Sequence, residues 1–354
     1  MSGPVTVMVT GGAGFIGSAV CRHLVGTGSY RVINVDKLTY SGNLDSLRDI
    51  QDRPNYRFIR ADICDQAAML GIMRDERVGK VLHLAAESHV DRSIDGPDVF
   101  VETNVCGTVS LLNAALAFWR EKGQPDDFRF HHVSTDEVFG DLDFDEDAFD
   151  ETSAYAPSSP YSASKAAADH FVRSWHTTFG LPVVLSNTSN NYGPFHFPEK
   201  LIPLVILNAI EGKPLPVYGQ GRNVRDWLYV DDHARALELI LTSGRIGQSY
   251  NVGGRCERSN IAVVETICDL LDARRPRPEG GSHRDLITFV SDRPGHDRRY
   301  AIDPSKVEAE LGWHPTETFD TGIGKTVDWF LDNEWWWRPI RDGTYAGERL
   351  GLAG

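Results

Sequence analysis

Two short groups of side chains in the sequence have the types and spacing of an acid–base site. Thr135, Asp136 and Glu137 follow directly after an apolar run, and Tyr161 and Lys165 are four residues apart. On a helix this spacing places Tyr161 and Lys165 on one face, where an ammonium favours the phenolate and lowers the pKa of the tyrosine. Such a tyrosine can take a proton from an alcohol as a hydride leaves. Adjacent carboxyl groups disfavour each other's ionisation, so Asp136 and Glu137 should titrate as a unit in which one keeps its proton.

A glycine-rich loop near the start of the chain predicts a dinucleotide site. The segment TGGAGFIG follows a strand-like run and matches GxGxxG through Gly12, Gly14 and Gly17, with Gly11 offering a second register. Without side chains, the backbone there can turn tightly and approach a pyrophosphate at the positive end of the next helix. Asp36 ends the following strand, where a carboxylate accepts from both ribose hydroxyls and repels a 2′-phosphate, although the next residue is a lysine. The loop therefore predicts NAD and not NADP.

The elements that must position these residues follow an alternating pattern. Short apolar runs alternate with helix-length amphipathic stretches, which predicts a parallel sheet with helices on both faces. The predicted strands are 5–10, 31–36, 56–62, 81–86, 128–134 and 182–187, and the predicted helices are 16–26, 67–75, 99–122 and 162–179. After residue 190, Pro, Gly and charged residues become frequent. We predict the α/β class: a Rossmann-type doubly wound parallel sheet with a smaller, loop-rich α/β substrate domain towards the C-terminus.

The composition excludes several classes of function. A formal net charge of −14 over 354 residues argues against binding of nucleic acid or an anionic membrane. Five scattered cysteines, none spaced CxxC, argue against a disulfide framework and a zinc site, so we predict reduced thiols and no metal. No signal-peptide pattern and no run of about 18 apolar residues is present, which favours a cytoplasmic protein. The acidic run 141–152 is predicted to be a solvated loop.

Seven sequence segments together resemble a known family. They are TGGAGFIG, DKLTYSGN, LAAESHVDRS, STDEVFG, PYSASKAAADH, NNYGPFHFPEKLIPL and RDWLYVDDHARAL. Over about residues 5–340 the chain closely resembles the dTDP-glucose 4,6-dehydratases of the extended short-chain dehydrogenase/reductase superfamily, with Phe139 in place of the more usual tyrosine. The resemblance implies a tightly bound, regenerated NAD, the substrate dTDP-glucose, and a homodimer formed through the helices 99–122 and 162–179.

The reaction of that family would explain the paired acids. Removing water across C5 and C6 of a hexose needs a base for the C5 proton and an acid for the C6 hydroxyl, after a ketone at C4 has made C5 acidic. By resemblance, Tyr161 deprotonates the C4 hydroxyl as NAD takes the hydride, Glu137 removes the C5 proton, and Asp136 protonates the leaving hydroxyl. The hydride then returns to C6. Thr135 would hydrogen-bond the C4 oxygen, and Lys165 would hold the nicotinamide ribose.

The cofactor contacts are predicted from the motifs and the resemblance together, whereas the substrate contacts are what the resemblance implies. The predicted cofactor contacts are Gly11, Gly14, Phe15, Ile16, Gly17, Asp36, Lys37, Leu38, Thr39, Asp62, Ile63, Leu84, Ala85, Ala86, Ser88, Thr103, Tyr161, Lys165 and Asn191. The predicted substrate contacts are Ser88, Thr135, Asp136, Glu137, Tyr161, Asn190, Lys200, Leu201, Pro216, Tyr218, Arg225, Asn260, Arg293 and His296. We assign residues 1–190 and a return segment at about 226–252 to the NAD-binding domain, 191–225 and 253–340 to the nucleotide-sugar domain, and 341–354 to a mobile tail.

Three alternative functions compete with this interpretation. A UDP-sugar 4-epimerase would need Tyr161 and Lys165 but no acid and base after the strand. For a GDP-mannose 4,6-dehydratase, the resemblance leads us to expect a serine in place of Asp136 and a basic site in place of Asp36. A non-catalytic NAD-binding regulatory protein could share the fold, since fold alone does not fix function, but it would have no reason to keep both side-chain groups.

Overall fold

A computed structural model describes residues 4–292 and 295–345 of the chain. The described residues form twelve strands and twelve α-helices. The strands are β1 (Val5–Thr10), β2 (Tyr30–Asp36), β3 (Tyr56–Arg60), β4 (Lys80–His83), β5 (Arg129–Thr135), β6 (Val183–Thr188), β7 (Asn190–Tyr192), β8 (Leu215–Tyr218), β9 (Val224–Tyr229), β10 (Ser249–Val252), β11 (Glu257–Ser259) and β12 (Ile287–Val290). The helices are α1 (Phe15–Thr27), α2 (Gln66–Asp75), α3 (Val90–Asp95), α4 (Asp98–Phe100), α5 (Thr108–Glu121), α6 (Pro160–Phe179), α7 (Leu201–Ile210), α8 (Val230–Ser243), α9 (Asn260–Arg274), α10 (Ser305–Leu311), α11 (Phe319–Asp332) and α12 (Glu334–Pro339).

The main sheet has seven parallel strands in the order β10-β6-β5-β4-β1-β2-β3. Successive side chains of β1 alternate between its two faces: Val7 and Val9 pack with α1 and α8, whereas Met8 packs with α2 and α5. This arrangement confirms the predicted Rossmann-type doubly wound fold. Strands β1 to β6 begin and end within three residues of the predicted runs.

The predicted helix 99–122 is not one regular helix. It consists of α4, a π-helical segment at Val101–Gly107, and α5. Asn104, inside that segment, accepts a hydrogen bond from the Glu87 amide at 2.8 Å and donates to Ser164 Oγ on α6 at 2.8 Å. A Cβ atom at Gly107 would lie 2.7 Å from Ile63 Cδ1. The wider π turn therefore fits this helix between α6 and the loop after β3.

The same region contains a helical stretch that satisfies the length and composition of a membrane span. Within 4–292 and 295–345, Asp98–Glu121 is the one such stretch, and half of its most apolar window is buried. A helix was predicted over 99–122, but no membrane-span character was. Leu111, Leu112 and Phe118 of α5 pack in the core beneath the sheet. A buried core helix has the same length and apolar composition as a membrane span.

The second half of the chain forms smaller elements beside the main sheet. Strands β11-β9-β7 make one small sheet and β12-β8 make another. Helices α7, α9 and α11 bury a shared apolar cluster with Trp336 and Trp337, while Trp335 stays partly exposed. Helix α8 and strand β10 instead join the first sheet and its core, as expected for the return segment.

Two predictions about loops and ends need correction. The acidic run 141–152 is not a solvated loop throughout, because Arg298 Nε donates to Asp141 Oδ2 at 2.6 Å and Arg299 Nη1 donates to the Glu146 carbonyl at 2.7 Å. The predicted tail begins too early: Arg341 is buried and donates to Asn208 Oδ1 at 2.9 Å, so residues 341–345 pack against the second group of elements. Residues 346–354 lie outside the described part of the chain.

Candidate active site

The glycine loop forms a close-packed cradle between β1 and α1. Gly11 has a positive φ of 73°, and a Cβ there would lie 2.7 Å from the Ala85 backbone. A Cβ at Gly17 would lie 2.1 Å from the Gly11 carbonyl. Gly14 caps α1 without any side-chain hydrogen bond, so the first amides of the helix remain available to an anion. Gly12 has a different role, because its Cα packs against Asn34 and Cys21.

Charged residues at the ends of β2 and β3, namely Asp36, Lys37 and Asp62, support a preference for an unphosphorylated ribose. The Asp36 carboxylate accepts hydrogen bonds from the amides of Ala13 at 3.0 Å and Leu38 at 2.8 Å, which fix its position. Lys37 Nζ lies 2.6 Å from Asp62 Oδ2. This ion pair partly neutralises the charge of Lys37, which would otherwise attract a 2′-phosphate. The carboxylate of Asp36 therefore still repels a 2′-phosphate.

A cavity of about 350 Å³ extends from this cradle along the carboxyl ends of the strands. The ring of His196 stacks on Phe15 with 4.2 Å between centroids and closes one side of the cavity. Among the predicted cofactor residues, only Leu38 does not line the cavity. Leu38 has a positive φ of 59° and lies in the turn where its amide donates to the Asp36 carboxylate. The predicted cofactor residues that do line it are Gly11, Gly14, Phe15, Ile16, Gly17, Asp36, Lys37, Thr39, Asp62, Ile63, Leu84, Ala85, Ala86, Ser88, Thr103, Tyr161, Lys165 and Asn191.

The paired acids occupy a short 3₁₀ turn at the end of β5. Thr135 caps this turn by accepting from the Glu137 amide at 3.3 Å, and its hydroxyl donates to Asp136 Oδ1 at 3.3 Å. Asp136 Oδ2 is buried and has no hydrogen-bond partner among the described residues. Burial raises the pKa of Asp136 well above its ordinary value, and the neighbouring charges of Glu137 and Asp226 raise it further. A raised pKa is the direction that a general acid requires, because it favours the protonated carboxyl group.

Helix α6 brings Tyr161 and Lys165 to the same cavity. Ser159 caps the helix in a reciprocal pair with Ser162, and Pro160 occupies its first turn, which fixes where the helix begins. Lys165 Nζ donates to the Val133 carbonyl at 2.9 Å, and burial lowers its pKa to about 8. The ammonium is therefore still the main form of Lys165 at neutral pH.

The expected low pKa of Tyr161 is not produced by the protein alone. Burial raises the pKa of the Tyr161 hydroxyl, the carboxylate of Glu137 raises it further, and a hydrogen bond with Thr135 lowers it. The predicted low pKa rested on Lys165 alone, whereas burial and three carboxylates, those of Glu137, Asp136 and Asp169, raise the pKa of Tyr161.

A second cavity of about 230 Å³ adjoins the first. The predicted substrate residues on its wall are Ser88, Glu137, Asn190, Lys200, Leu201, Pro216, Tyr218, Arg225, Asn260 and His296. Thr135, Asp136 and Tyr161 line the first cavity, and Arg293 lies outside the described residues. Both cavities share Ser88, Glu137, Asn190, Glu199, Lys200, Leu201 and Trp227. Glu137 thus lies where the predicted cofactor and sugar spaces meet.

Cationic side chains in the second cavity are held by backbone carbonyls. Lys200 Nζ donates to the Ser88 carbonyl at 3.0 Å. Arg225 donates to the carbonyls of Val224 and Asp297, and its guanidinium lies 4.2 Å from the ring centroid of Tyr300. Hydrogen bonds to the backbone therefore position both cations, in a cavity that a diphosphate could enter.

Comparisons with known proteins identify the family. The family described as GDP-mannose 4,6 dehydratase matches residues 8–326. A dTDP-glucose 4,6-dehydratase of Neisseria meningitidis serogroup B is 57% identical over 349 residues, which cover 98% of each chain. The dTDP-glucose 4,6-dehydratase 1 of Escherichia coli K12 is also 57% identical over 349 residues and 96% of each chain. The chain belongs to the dTDP-glucose 4,6-dehydratase family.

Solved structures place the chain in the same family. A dTDP-glucose 4,6-dehydratase of Streptomyces venezuelae with NAD bound is 42% identical, has a TM-score of 0.87, and is matched over 95% of this chain and 100% of its own. A UDP-glucose 4-epimerase of Thermotoga maritima reaches a TM-score of 0.81 at 27% identity, over 93% of this chain and 99% of its own. The shared fold therefore extends to epimerases, while the sequence likeness favours the dehydratases.

Two side chains on the cavity walls, Glu199 and Tyr300, were not predicted from the sequence. Glu199 lies in the shared wall and accepts hydrogen bonds from Tyr40 Oη and Arg92 Nε, both at 2.9 Å. It directly precedes Lys200 in a motif that was singled out, so its position was a usable signal. Tyr300 lies on the wall of the second cavity and donates to Asp297, but no spacing in the sequence marks it.

Proposed function

We propose that the chain carries out the reaction of its family, the conversion of dTDP-glucose to dTDP-4-keto-6-deoxyglucose and water. The observation that supports this most directly is the meeting of the two cavities at Glu137, beside a buried Asp136 whose pKa is raised. An epimerase needs only the tyrosine and lysine. A base and an acid together are what an elimination requires.

The first cavity fits NAD. The Gly11 and Gly17 cradle has no room for side chains, the start of α1 offers uncapped amides, and Asp36 suits an unphosphorylated ribose. When bound, NAD supplies the acceptor for the C4 hydride, its return to C6, and a positive charge in the same cavity as Tyr161. That charge would offset the carboxylates that raise the pKa of the Tyr161 hydroxyl.

Tyr161, Thr135 and Lys165 serve the oxidation at C4. Tyr161 takes the proton of the C4 hydroxyl, and Thr135, which is hydrogen-bonded to Tyr161, donates to the C4 oxygen once it becomes a ketone. Lys165 keeps its ammonium near Tyr161 and favours the phenolate. The ketone then stabilises a negative charge at C5 as an enolate.

Glu137 and Asp136 serve the elimination. Glu137 takes the C5 proton, and Asp136 gives its proton to the C6 hydroxyl, which leaves as water. The unpartnered, buried Oδ2 of Asp136 suits a donor whose partner is the substrate. Glu137 then returns a proton to C5 as C6 is reduced, so the atoms balance as the loss of one water.

The second cavity is proposed to hold the nucleotide. Lys200 and Arg225 suit the diphosphate oxygens, and Tyr218 on β8 suits a stacked pyrimidine. Asn190, Leu201, Pro216, Asn260 and His296 line the same wall, and Arg293 is proposed from the family resemblance. The two groups of elements correspond to the NAD-binding and nucleotide-sugar domains proposed from the sequence.

We also propose a cytoplasmic homodimer. Exposed apolar side chains, Val99 and Val101 on one helical segment and Phe171 and Phe179 on α6, support assembly through these helices. All five cysteines are unpaired, as expected in a reducing compartment. Sedimentation of the purified protein should give twice the monomer mass.

Incubating purified protein with dTDP-glucose and no added cofactor tests the function. A 4-keto-6-deoxy product should form, and deuterium placed at C4 of the substrate should be recovered at C6 of the product. Product lacking that deuterium would contradict the proposed cycle. Formation of dTDP-galactose would favour the epimerase alternative.

A further inference from the structure

Helix α6 carries a continuous row of polar side chains at four-residue intervals. Tyr161, Lys165, Asp169 and Arg173 recur at this spacing, which places them on one face of the helix. Tyr161 and Lys165 have proposed roles, but Asp169 lines neither cavity. Asp169 is completely buried, and a buried carboxylate needs partners that compensate for its lost hydration.

The partners of Asp169 lead directly to Lys165. Asp169 Oδ1 lies 3.1 Å from His132 Nε2 on β5, and the same ring nitrogen lies 3.4 Å from Lys165 Nζ. Asp169 Oδ2 accepts hydrogen bonds from Ser134 Oγ at 2.8 Å and Tyr155 Oη at 2.9 Å. The carboxylate is thus held by three neighbours, and the nearest buried cation is the Lys165 ammonium.

The intervening histidine is neutral. Burial, and after it the charge of Lys165, lowers the pKa of His132 to about 4. A neutral ring cannot cancel the charge of Asp169, which therefore remains available to the ammonium. Burial raises the pKa of Asp169, but neighbouring hydrogen-bond donors, Ser134 among them, and the charge of Lys165 bring it below its ordinary value.

We propose that Asp169 is a positioning residue for the reaction: it supplies the counter-charge that keeps the buried Lys165 protonated. This inference rests on the proposed roles of Tyr161 and Lys165. Without the carboxylate, the buried lysine would lose its proton more easily, and the Tyr161 phenolate would lose its stabilising charge. The other titratable groups around Lys165 are His83 on β4, His132 on β5, Tyr155 before α6, Asp136 and Glu137 after β5, and Tyr161 and Arg173 on α6.

The direct test measures the protonation of Lys165 itself. Full-length wild type and Asp169→Asn, with matched cofactor content, are treated with trace acetic anhydride across a pH series, and acetylation of Lys165 is quantified by peptide mass spectrometry. The wild-type midpoint is expected at about 8. In Asp169→Asn it should fall by about one unit or more, the usual effect of removing a close opposite charge. No substrate is needed, so the result does not depend on whether the protein is a dehydratase.

A kinetic readout accompanies the labelling. At fixed pH, each unit lost from the lysine pKa moves the Tyr161 phenolate–Lys165 ammonium pair about tenfold towards its neutral form. The kcat for dTDP-glucose should therefore fall at least about tenfold in Asp169→Asn, with KM unchanged. A residue with a merely structural role would lower the amount of folded protein without moving the Lys165 midpoint.

Two variants control for structural damage. Tyr155→Phe removes one hydrogen bond to Asp169 but keeps its charge, so the Lys165 midpoint should not move. Asp232→Asn removes a completely buried carboxylate that holds the amides of Thr316 and Glu317; it should lower stability and leave the midpoint in place.

Folded Asp169→Asn with an unchanged midpoint overturns the proposal, as does an equal shift in Asp232→Asn. Should Asp169→Asn not fold, the wild-type midpoint decides. A value well below neutrality overturns the proposal, since no ammonium would then need a counter-charge, and a value near 8 supports it.

Discussion

Replacing Asp136 by Asn separates the proposed acid from every other function of the site. Asp136 is buried and its pKa is raised, so below the unfolded-state pKa of about 3.9 the carboxyl is protonated in both states and the amide removes no charge. Its Oδ2 has no partner among the described residues, so one unpartnered donor, the carboxyl OH, is replaced by another, the amide NH₂. At such a pH we therefore expect a change in the free energy of unfolding well below the roughly 1–3 kcal/mol that a newly unsatisfied buried group costs.

Elimination, in contrast, should slow strongly. A general acid contributes about 10²–10⁴-fold, or about 3–5 kcal/mol of transition-state free energy. In a single turnover with dTDP-glucose, Asp136→Asn should oxidise C4 at the wild-type rate, so reduced nicotinamide accumulates and then decays slowly. Glu137→Gln should behave likewise but should also abolish exchange of the C5 proton with deuterated water, which Asp136→Asn retains. Wild-type turnover by Asp136→Asn, or failure of C4 oxidation in it, would refute the assigned acid.

Three further outcomes are expected. Tyr161→Phe should suppress the appearance of reduced nicotinamide by about 10²–10⁴-fold, since the C4 hydroxyl then lacks its base; stopped-flow absorbance checks this. Asp36→Ala should weaken NAD binding about tenfold to a hundredfold, because a hydrogen bond to a charged group contributes about 1.5–3 kcal/mol. The variant should also have a smaller preference for NAD over NADP. Calorimetry with both cofactors measures both effects. The folded-state pKa of Asp136 is raised, so the contribution of this carboxyl group to stability is complete below the unfolded-state pKa of about 3.9 and is lost as the pH rises through the folded-state pKa. Between these two pKa values, wild type should lose stability relative to Asp136→Asn. Denaturant melts across a pH series measure this difference.

The fold was predictable wherever local chemistry decides it. Helix α6 has a proline in its first turn, a serine cap and a regular apolar face, and it begins within two residues of its predicted start. The segment Val101–Gly107 was not predictable, because a π turn depends on how Asn104 and Gly107 meet neighbouring elements. The acidic run was misjudged for a similar reason: its partners, Arg298 and Arg299, lie about 150 residues away in the sequence.

In the candidate site, too, local sequence patterns could be predicted and contacts between distant segments could not. Motif spacing identified the glycine loop and the Tyr161–Lys165 pair on the wall of the first cavity, because glycine cradles and i, i+4 pairs are local patterns. It did not find the raised pKa of Tyr161, which depends on burial and on carboxylates from another element. Asp169 was also missed, although it lies one helical turn beyond Lys165, because its purpose depends on His132 of a different strand.

Under the proposed function, the residues that would select the nucleobase are different from those that would carry out the bond chemistry. Pro216 and Tyr218 lie on β8, whose neighbour in its two-stranded sheet is β12, and they line only the second cavity. Asp136 and Tyr161 line only the first. An ancestral enzyme could therefore have exchanged thymidine for another pyrimidine or a purine by altering one small two-stranded sheet. The proton-transfer apparatus would have been inherited intact, and one architecture could supply many sugar nucleotides.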